Sequence, residues 1–564
     1  MNNEETEPAE TEKIPEELVI VEDGEALYAV VRPELTDDEN VELAVSVRRG
    51  LEEKTGVQFT LGTDWVKRGD APDMEKPEIL VGVTNRTSEE ELSSLGWADW
   101  TIKAEGNKIF LLARSVRALG SAVEAFLSDG VTAMDGGRLL IRGLPISGSI
   151  TLAAGEVPDY PHGDFVGMYE SSGSTVIFRY ENTTAENFAD YLGILKDAGF
   201  ELYDEHMIEN NRFATCVNDV TTVNCSWFER TGTTRVICEE RSTLCPLEDP
   251  YEEKYETLLT GMKGETVVAS EGMGFIIRLA DGSFCIIDGG MGDPNSVDSN
   301  KLMNILNEQK PEDVEKPVIA AWIFSHMHGD HIGVFNCFSL DHHDDVVIEK
   351  LIYNFPKEEE VKVSDSPYML DDTIYRFTAF KKNLANYYSD VPILKVHSGN
   401  RFEVRNAHFE VLYAYDDLYP KTILDGGMNE NSLLLKMTIG SQTTLWTGDF
   451  AFIATDLVLS EYSAETLECD ILQVAHHGIN GTVDFYSRVN PTYVLWPVWA
   501  GGFESMRNNA QNKWLIDSEK VRHVIVTGVG TWTIRLPYDP VDGTFDRTPT
   551  WKTKHPLYPA LLGE

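Results

Sequence analysis

AAWIFSHMHGDHIGVFN, residues 320–336, sets three histidines and an aspartate within a few positions of the end of an apolar run. Ala320 to Phe324 read as a buried strand that ends at Ser325. In extended chain beyond it, alternate residues point the same way, so His326 and His328 can grip one ion together. Gly329 lets the backbone turn, bringing Asp330 and His331 towards a second ion before a helix starts near Ile332. Imidazole and carboxylate donors at these spacings suit Zn²⁺, or Mn²⁺ or Fe in its place. With 13 histidines in 564 residues, H-x-H-x-D-H arises by chance in about one such chain in a couple of thousand. The expectation is therefore a metal site rather than four unrelated residues.

Outward from this segment, residues 262–540 alternate strands with helices. The strands are VVAS (267–270), FIIRLA, FCIIDGG, VIAAWIFS, KLIYNF, FEVLYAY, SLLLKMTI, TTLWTGD, ILQVAHH, YVLWPV, HVIVTG and TWTIRL. That pattern predicts an α/β fold with two sheets sandwiched between helices. Several strands run into polar turns: Ile287-Asp288-Gly289-Gly290, Thr447-Gly448-Asp449 and Ala475-His476-His477-Gly478. Asn429-Glu430-Asn431-Ser432 leads into another.

H-x-H-x-D-H after a buried strand, with these turns in this order, resembles the metallo-β-lactamase superfamily. The match extends over about half the chain. The N-E-N-S and A-H-H-G elements are most similar to the branch that holds the hydrolase domains of DNA-uptake channel proteins and secreted phosphodiesterases. The resemblance implies an αββα sandwich binding two divalent ions through His326, His328, Asp330, His331, Asp449 and His476. Asp449 would bridge the ions and His476 would complete the second set. A hydroxide held between the ions would be the nucleophile, oriented by Asp330, with His477 as the second catalytic residue. The implied activity is metal-dependent hydrolysis of a phosphodiester or phosphorylated small molecule. Alternatives are an ester, lactone or amide hydrolase of the same fold, or a non-catalytic surface module that binds a glycan or a partner.

Two departures stand out. The superfamily's third histidine for the first ion has no recognisable counterpart among His342, His343, His397 and His408, with His397 the first candidate. The element that follows H-H-G in the DNA-uptake branch carries a His-Pro pair, whereas this chain reads AGGFESMRNNAQNKWL. Trp496, Trp499, Phe503 and Trp514 nearby offer either core packing or a platform for a sugar ring.

The remainder divides into an acidic tether (1–13), an α/β accessory domain (14–155), a small α+β domain (160–250) and a C-terminal tail (541–564). In the accessory domain ELVIVE (17–22) and EILVGV (78–83) are strands. Thr36-x-x-Glu39 opens a helix with Leu43, Ala44, Val47 and Leu51 inward, and a second helix turns Leu119, Val123, Phe126 and Leu127 inward. LEEKTGVQF and PEILVGVTNR resemble the α/β domain preceding the catalytic domain in some bacterial glycan-degrading enzymes, which implies a glycan-linked substrate. In the small domain Thr183-x-x-Glu186 caps a helix with Phe188, Tyr191, Leu192 and Leu195 inward, and 222–228 with 234–240 form a hairpin.

A net charge of −46 opposes a polyanionic partner, so nucleic acid is not expected. No apolar run is long enough to span a membrane. The opening MNNEETEPAETEK has no apolar signal core. The expectation is an extracellular or cell-surface protein separated from its signal, with a cytoplasmic location as the alternative. Cys216, Cys225, Cys238 and Cys245 leave two disulfides or four thiols equally open.

Overall fold

The computed structural model describes residues 17–539 apart from 37, 172–174, 265–272, 293–294, 366–368 and 422–426. The expected tether, the C-terminal tail and the strand VVAS lie outside the described residues, as does residue 37 beside the expected Thr36 cap. Two compact units form, 1–157 and 158–564.

In the first unit, Glu78–Val81 is buried along its length because it pairs in parallel with Ala29–Arg32 on one side and Lys108–Ala113 on the other. These belong to a six-stranded sheet, and ELVIVE joins a separate four-stranded one. The helices Asp38–Thr55 and Val116–Leu127 bury Ala44, Val47, Leu51, Leu119, Val123 and Phe126 in one core with both sheets. Leu43 and Leu127 pack at its edge.

The second unit is built around an αββα sandwich. One sheet runs in the order Ile393–Lys395, Leu351–Tyr353, Val318–Ile323, Phe284–Ile287, Gly274–Arg278, Thr257–Met262 and Trp532–Leu536, with Val347–Ile348 beside Val318–Ile323. The other runs Arg401–Val404, Ala407–Tyr413, Leu434–Ile439, Gln442–Trp446, Ile471–Gln473, Tyr493–Trp499 and His523–Gly528. Ile287, Ile323 and Phe275 of the first meet Val411, Trp446 and Leu495 of the second in the central core. The outer faces are covered by helices. Leu302, Phe335 and Phe380 pack on one, Val458, Phe485 and Leu515 on the other. The sandwich opens at Thr257, a strand earlier than residue 262.

Residues 164–240 form their own six-stranded antiparallel sheet. The helix Ala185–Asp197 is capped by Thr184 and Asn187, one residue later than the expected Thr183 and Glu186, because the Thr183 hydroxyl donates to Gly232 O instead. Phe188, Tyr191 and Leu195 are buried and Leu192 only partly so. The hairpin Thr221–Phe228 and Thr233–Glu240 is as expected. Cys216, Cys225 and Cys238 are buried thiols on adjacent strands and Cys245 is partly buried; none is in a disulfide.

One face of this sheet is joined to the sandwich by buried charge. Arg235 bonds Asp417 (2.9 Å) and Glu461, and Arg179 donates to Asp416 O. His397 lies between Glu239 (2.6 Å from Nε2) and Asp416 (2.5 Å from Nδ1). Burial pushes the Asp417 and Glu461 carboxyls up, against the pull of Arg235. Burial alone would lower His397, but the two flanking carboxylates raise it to about 10.

The signs agree. A carboxyl raised by burial costs stability as pH climbs above its ordinary range, and a histidine raised by its partners contributes stability below about 6.5 that fades towards 10. Thermal stability is therefore expected to fall from pH 6.5 upwards, and His397→Gln to flatten that slope. Parallel melting curves for the two proteins would show the idea to be mistaken.

Candidate metal centre

The site lies beyond the carboxyl ends of neighbouring parallel strands, where loops from both sheets meet. Phe284–Ile287 and Val318–Ile323 pair in parallel and end at Asp288 and Ser325. Asp288 adopts φ 53 and turns its carboxylate across the neighbouring strand end. It accepts from Ser325 N (2.8 Å) and Ser325 Oγ (2.8 Å), and Oδ2 lies 2.9 Å from His331 Nδ1. Trp322 Nε1 donates to Asp288 O. The Asp288 contact holds a proton at His331 Nδ1 and turns Nε2 towards Asp449.

His326 Nε2 and His328 Nδ1 converge to 3.1 Å. The other nitrogen of His328, Nε2, faces Asp365 Oδ1 at 3.6 Å, and His326 Nδ1 faces Ser325 Oγ. The helix Gly329–His342 starts at once and carries Asp330 and His331 in its first turn.

The opposite sheet supplies the rest. Gln473 Oε1 accepts from Thr447 N and Gly448 N, and Ser432 Oγ accepts from Asp449 N, so the T-G-D turn is held from two sides. Gly448, at φ 52, passes so close to Ser325 that a Cβ would lie 2.7 Å from that side chain. Glu430 accepts from Ile453 N and Ala454 N at the start of the next helix. The N-E-N-S element thus fixes the loop around Asp449.

His476 and His477 both adopt left-handed backbone, φ 46 and 55. Two such non-glycine residues in succession are strained by about 1–3 kcal/mol each. The turn is held by His476 N to Gly448 O, Trp496 Nε1 to His477 O and Asn512 Nδ2 to Gly478 O. His477 Nδ1 donates to Pro497 O, which turns Nε2 inward to 3.0 Å from Asp330 Oδ2 and 3.9 Å from Asp449 Oδ1.

Among the described residues, two groups of donors lie close enough to hold ions, and they share Asp449. One is His326, His328 and Asp449; the other is Asp330, His331, Asp449 and His477. Asp449 Oδ1 faces His331 Nε2 at 3.2 Å, while Oδ2 faces His326 Nε2 at 3.8 Å. It is His477 that closes the second group, where the sequence reading put His476. The Nε2 of His476 lies 3.5 Å from Asp449 Oδ2, and its side chain is 22% exposed at the rim beside Asn429. The cause is the double left-handed turn, which sends the second histidine inward and leaves the first at the edge.

Opposed charges and burial set the electrostatics of the site. Burial, with His331 beside it, holds His326 well below its ordinary pKa. Burial would lower His331 too, but Asp449, Asp288 and Asp330 hold it well above. Asp330 and Asp449 stay below the usual carboxylate range despite burial, because histidines face them. The buried atoms His331 Nε2 and Asp449 Oδ1 have no hydrogen-bond partner. A single positive charge, a proton on His331 or a bound cation, satisfies both atoms.

Among solved structures, the chain is similar to a metallo-beta-lactamase fold protein, YhfI, from Bacillus subtilis. That likeness is at 14% identity over 50% of this chain and 100% of that one, with TM-score 0.30. It is also similar to a beta-lactamase domain protein from Burkholderia ambifaria, at 14% identity over 40% of this chain and 67% of that one, with TM-score 0.23. No family model and no curated protein matches.

The four histidines between the motifs are engaged elsewhere. His397 is held by Glu239 and Asp416, His342 by Asp345 and Asn300, His343 by Ser339 O, and His408 by Glu403. Of the four aromatic residues considered for a sugar platform, Trp496 and Phe503 are core, Trp514 packs against it, and Trp499 alone is exposed. Asp288 and Asp365 were not assigned roles from sequence. The Asp288 turn is visible as I-D-G-G, but its contact with His331 depends on strand pairing, and Asp365 carries no motif at all. No helix among the described residues is long and apolar enough to cross a membrane.

Proposed function

We propose that this chain is a metal-dependent hydrolase of the metallo-β-lactamase superfamily that acts on a phosphodiester or phosphorylated small molecule. The observation that carries the reading is the pair of donor groups sharing the buried Asp449, with facing donors at Asp449 Oδ1 and His331 Nε2. His326, His328 and Asp449 would hold one divalent ion, and Asp330, His331, Asp449 and His477 the other; Zn²⁺ suits the nitrogen-rich set best. Bound there, such ions supply Lewis-acid charge and lower the pKa of water towards neutrality.

The chain's own groups divide the remaining tasks. Asp449 is 1% exposed at its side chain and Asp330 13%, so Asp330 is the carboxylate that meets an entering water and orients it. His477 has its Nδ1 proton committed to Pro497 O, which suits a ligand. His476 stands at the rim with Nε2 facing the site, which suits a proton donor to the leaving oxygen. A small diester brings a single charge that the site can neutralise, whereas the net charge of −46 opposes the approach of long DNA.

The test is elemental analysis of the purified protein, then turnover of bis-p-nitrophenyl phosphate against p-nitrophenyl esters, a chromogenic lactam and single-stranded DNA. About two ions per chain and preferential turnover of the diester are expected. Less than about half an ion after reconstitution would remove the basis of the reading. In the same assays His477→Ala should lose metal. His476→Ala should keep its metal and lose rate by about 10²–10⁴-fold. The opposite pattern would restore His476 as the ligand.

A further inference from the structure

We propose that the substrate carries an alkyl substituent next to its scissile centre, received by an apolar wall of Phe452, Ile479 and Trp499. The inference rests on the hydrolase reading and names the kind of substrate. Gln442–Trp446, Ile471–Gln473 and Tyr493–Trp499 are successive parallel neighbours in one sheet. Their carboxyl ends therefore emerge side by side, about 4.8 Å apart. Each end supplies part of the site: Asp449 from the first, His476 and His477 from the second, and Pro497 O, which holds His477, from the third.

Directly after each of these, the chain exposes one large apolar residue: Phe452 (52%), Ile479 (51%) and Trp499 (44%). Their neighbours Phe450, Trp496 and Phe503 are fully buried, so these segments have a core to fill and still leave three apolar side chains in water. Exposed apolar groups that follow three neighbouring strand ends suit a binding surface, unlike the same groups scattered singly.

The positions are also held in place. Phe452 begins a helix whose first amides bond to Glu430. Ile479 N donates to His476 O at 2.7 Å. The Trp499 indole lies over Gly501 and Gly502, where a Cβ would come within 2.4 and 2.5 Å of the ring. Charge stands instead beside the other donors: Asp365 Oδ1 lies 3.6 Å from His328 Nε2, and the Arg376 side chain, on the helix Leu370–Tyr387, packs over Gly329. The alkyl group therefore belongs on the wall side and the charged scissile group on the metal side.

The experiment uses p-nitrophenyl phosphodiesters with methyl, butyl and octyl groups on the metal-loaded full chain, with methyl-, butyl- and octylphosphonate titrated calorimetrically in parallel. We expect kcat/KM to rise about threefold per methylene from methyl to butyl. Phosphonate affinity should rise in step. The F452S/W499S double variant should lose that gradient while its metal content stays that of the parent. Graded phosphonate binding without turnover of any ester would keep the wall and end the hydrolase reading. Turnover and binding that are both independent of chain length, or a gradient that survives in the double variant, would overturn the wall.

Discussion

Asp449→Ala is expected to bring metal content from about two ions per chain to near none, and turnover with it. This carboxylate is the only donor common to both groups, with one oxygen towards His331 and His477 and the other towards His326. Its removal leaves His331, His326 and His477 facing each other around a cavity, and takes from His331 the carboxylate that most raises its pKa. Loss of a single-group ligand such as His328 should be milder and confined to one ion. Elemental analysis of both variants, with circular dichroism to confirm folding, checks this. Retention of more than about one ion by Asp449→Ala would show that the two groups do not share it.

Arg235→Ala is expected to be the most damaging change away from the metal centre, at about 3–5 kcal/mol of folding stability. Arg235 is 4% exposed and faces two buried carboxylates, Asp417 and Glu461. Without the guanidinium, both acids must ionise in a dry site or take up protons there. Their pKa values, already pushed up by burial, would rise further. Urea denaturation at pH 7 measures the loss. Replacing Arg235, Asp417 and Glu461 together by Met and Leu should recover much of it, since a packed apolar set replaces a buried ion cluster at little cost. If Arg235→Ala loses less than about 1 kcal/mol, the cluster is hydrated and the six-stranded sheet is held mainly by Phe213 and Phe228 in the apolar core.

What could be read from the residues alone was local. H-x-H-x-D-H follows a strand whose apolar run announces it, and its donors lie within one turn of chain, so alternation and a glycine suffice to pair His326 with His328 and Asp330 with His331. The strands of the sandwich were legible for the same reason: Phe284–Ile287, Val318–Ile323 and Tyr493–Trp499 are short apolar runs bounded by turn residues. Asp449 was found through the order of motifs.

Tertiary structure decided everything that depends on two segments meeting. Adjacent histidines look alike in sequence, and only the double left-handed turn at His476 and His477, with Pro497 O waiting on the neighbouring strand, selects which one faces Asp330. His397 sits in the window expected to hold a ligand, yet Glu239 of the 164–240 sheet claims it, because burial of Glu239 demands a partner. Trp496 and Phe503 are core while Trp499, the last residue of its strand, is exposed. Spacing along a chain encodes the direction of neighbouring side chains; which distant group stands opposite is determined only when the sheets close on one another.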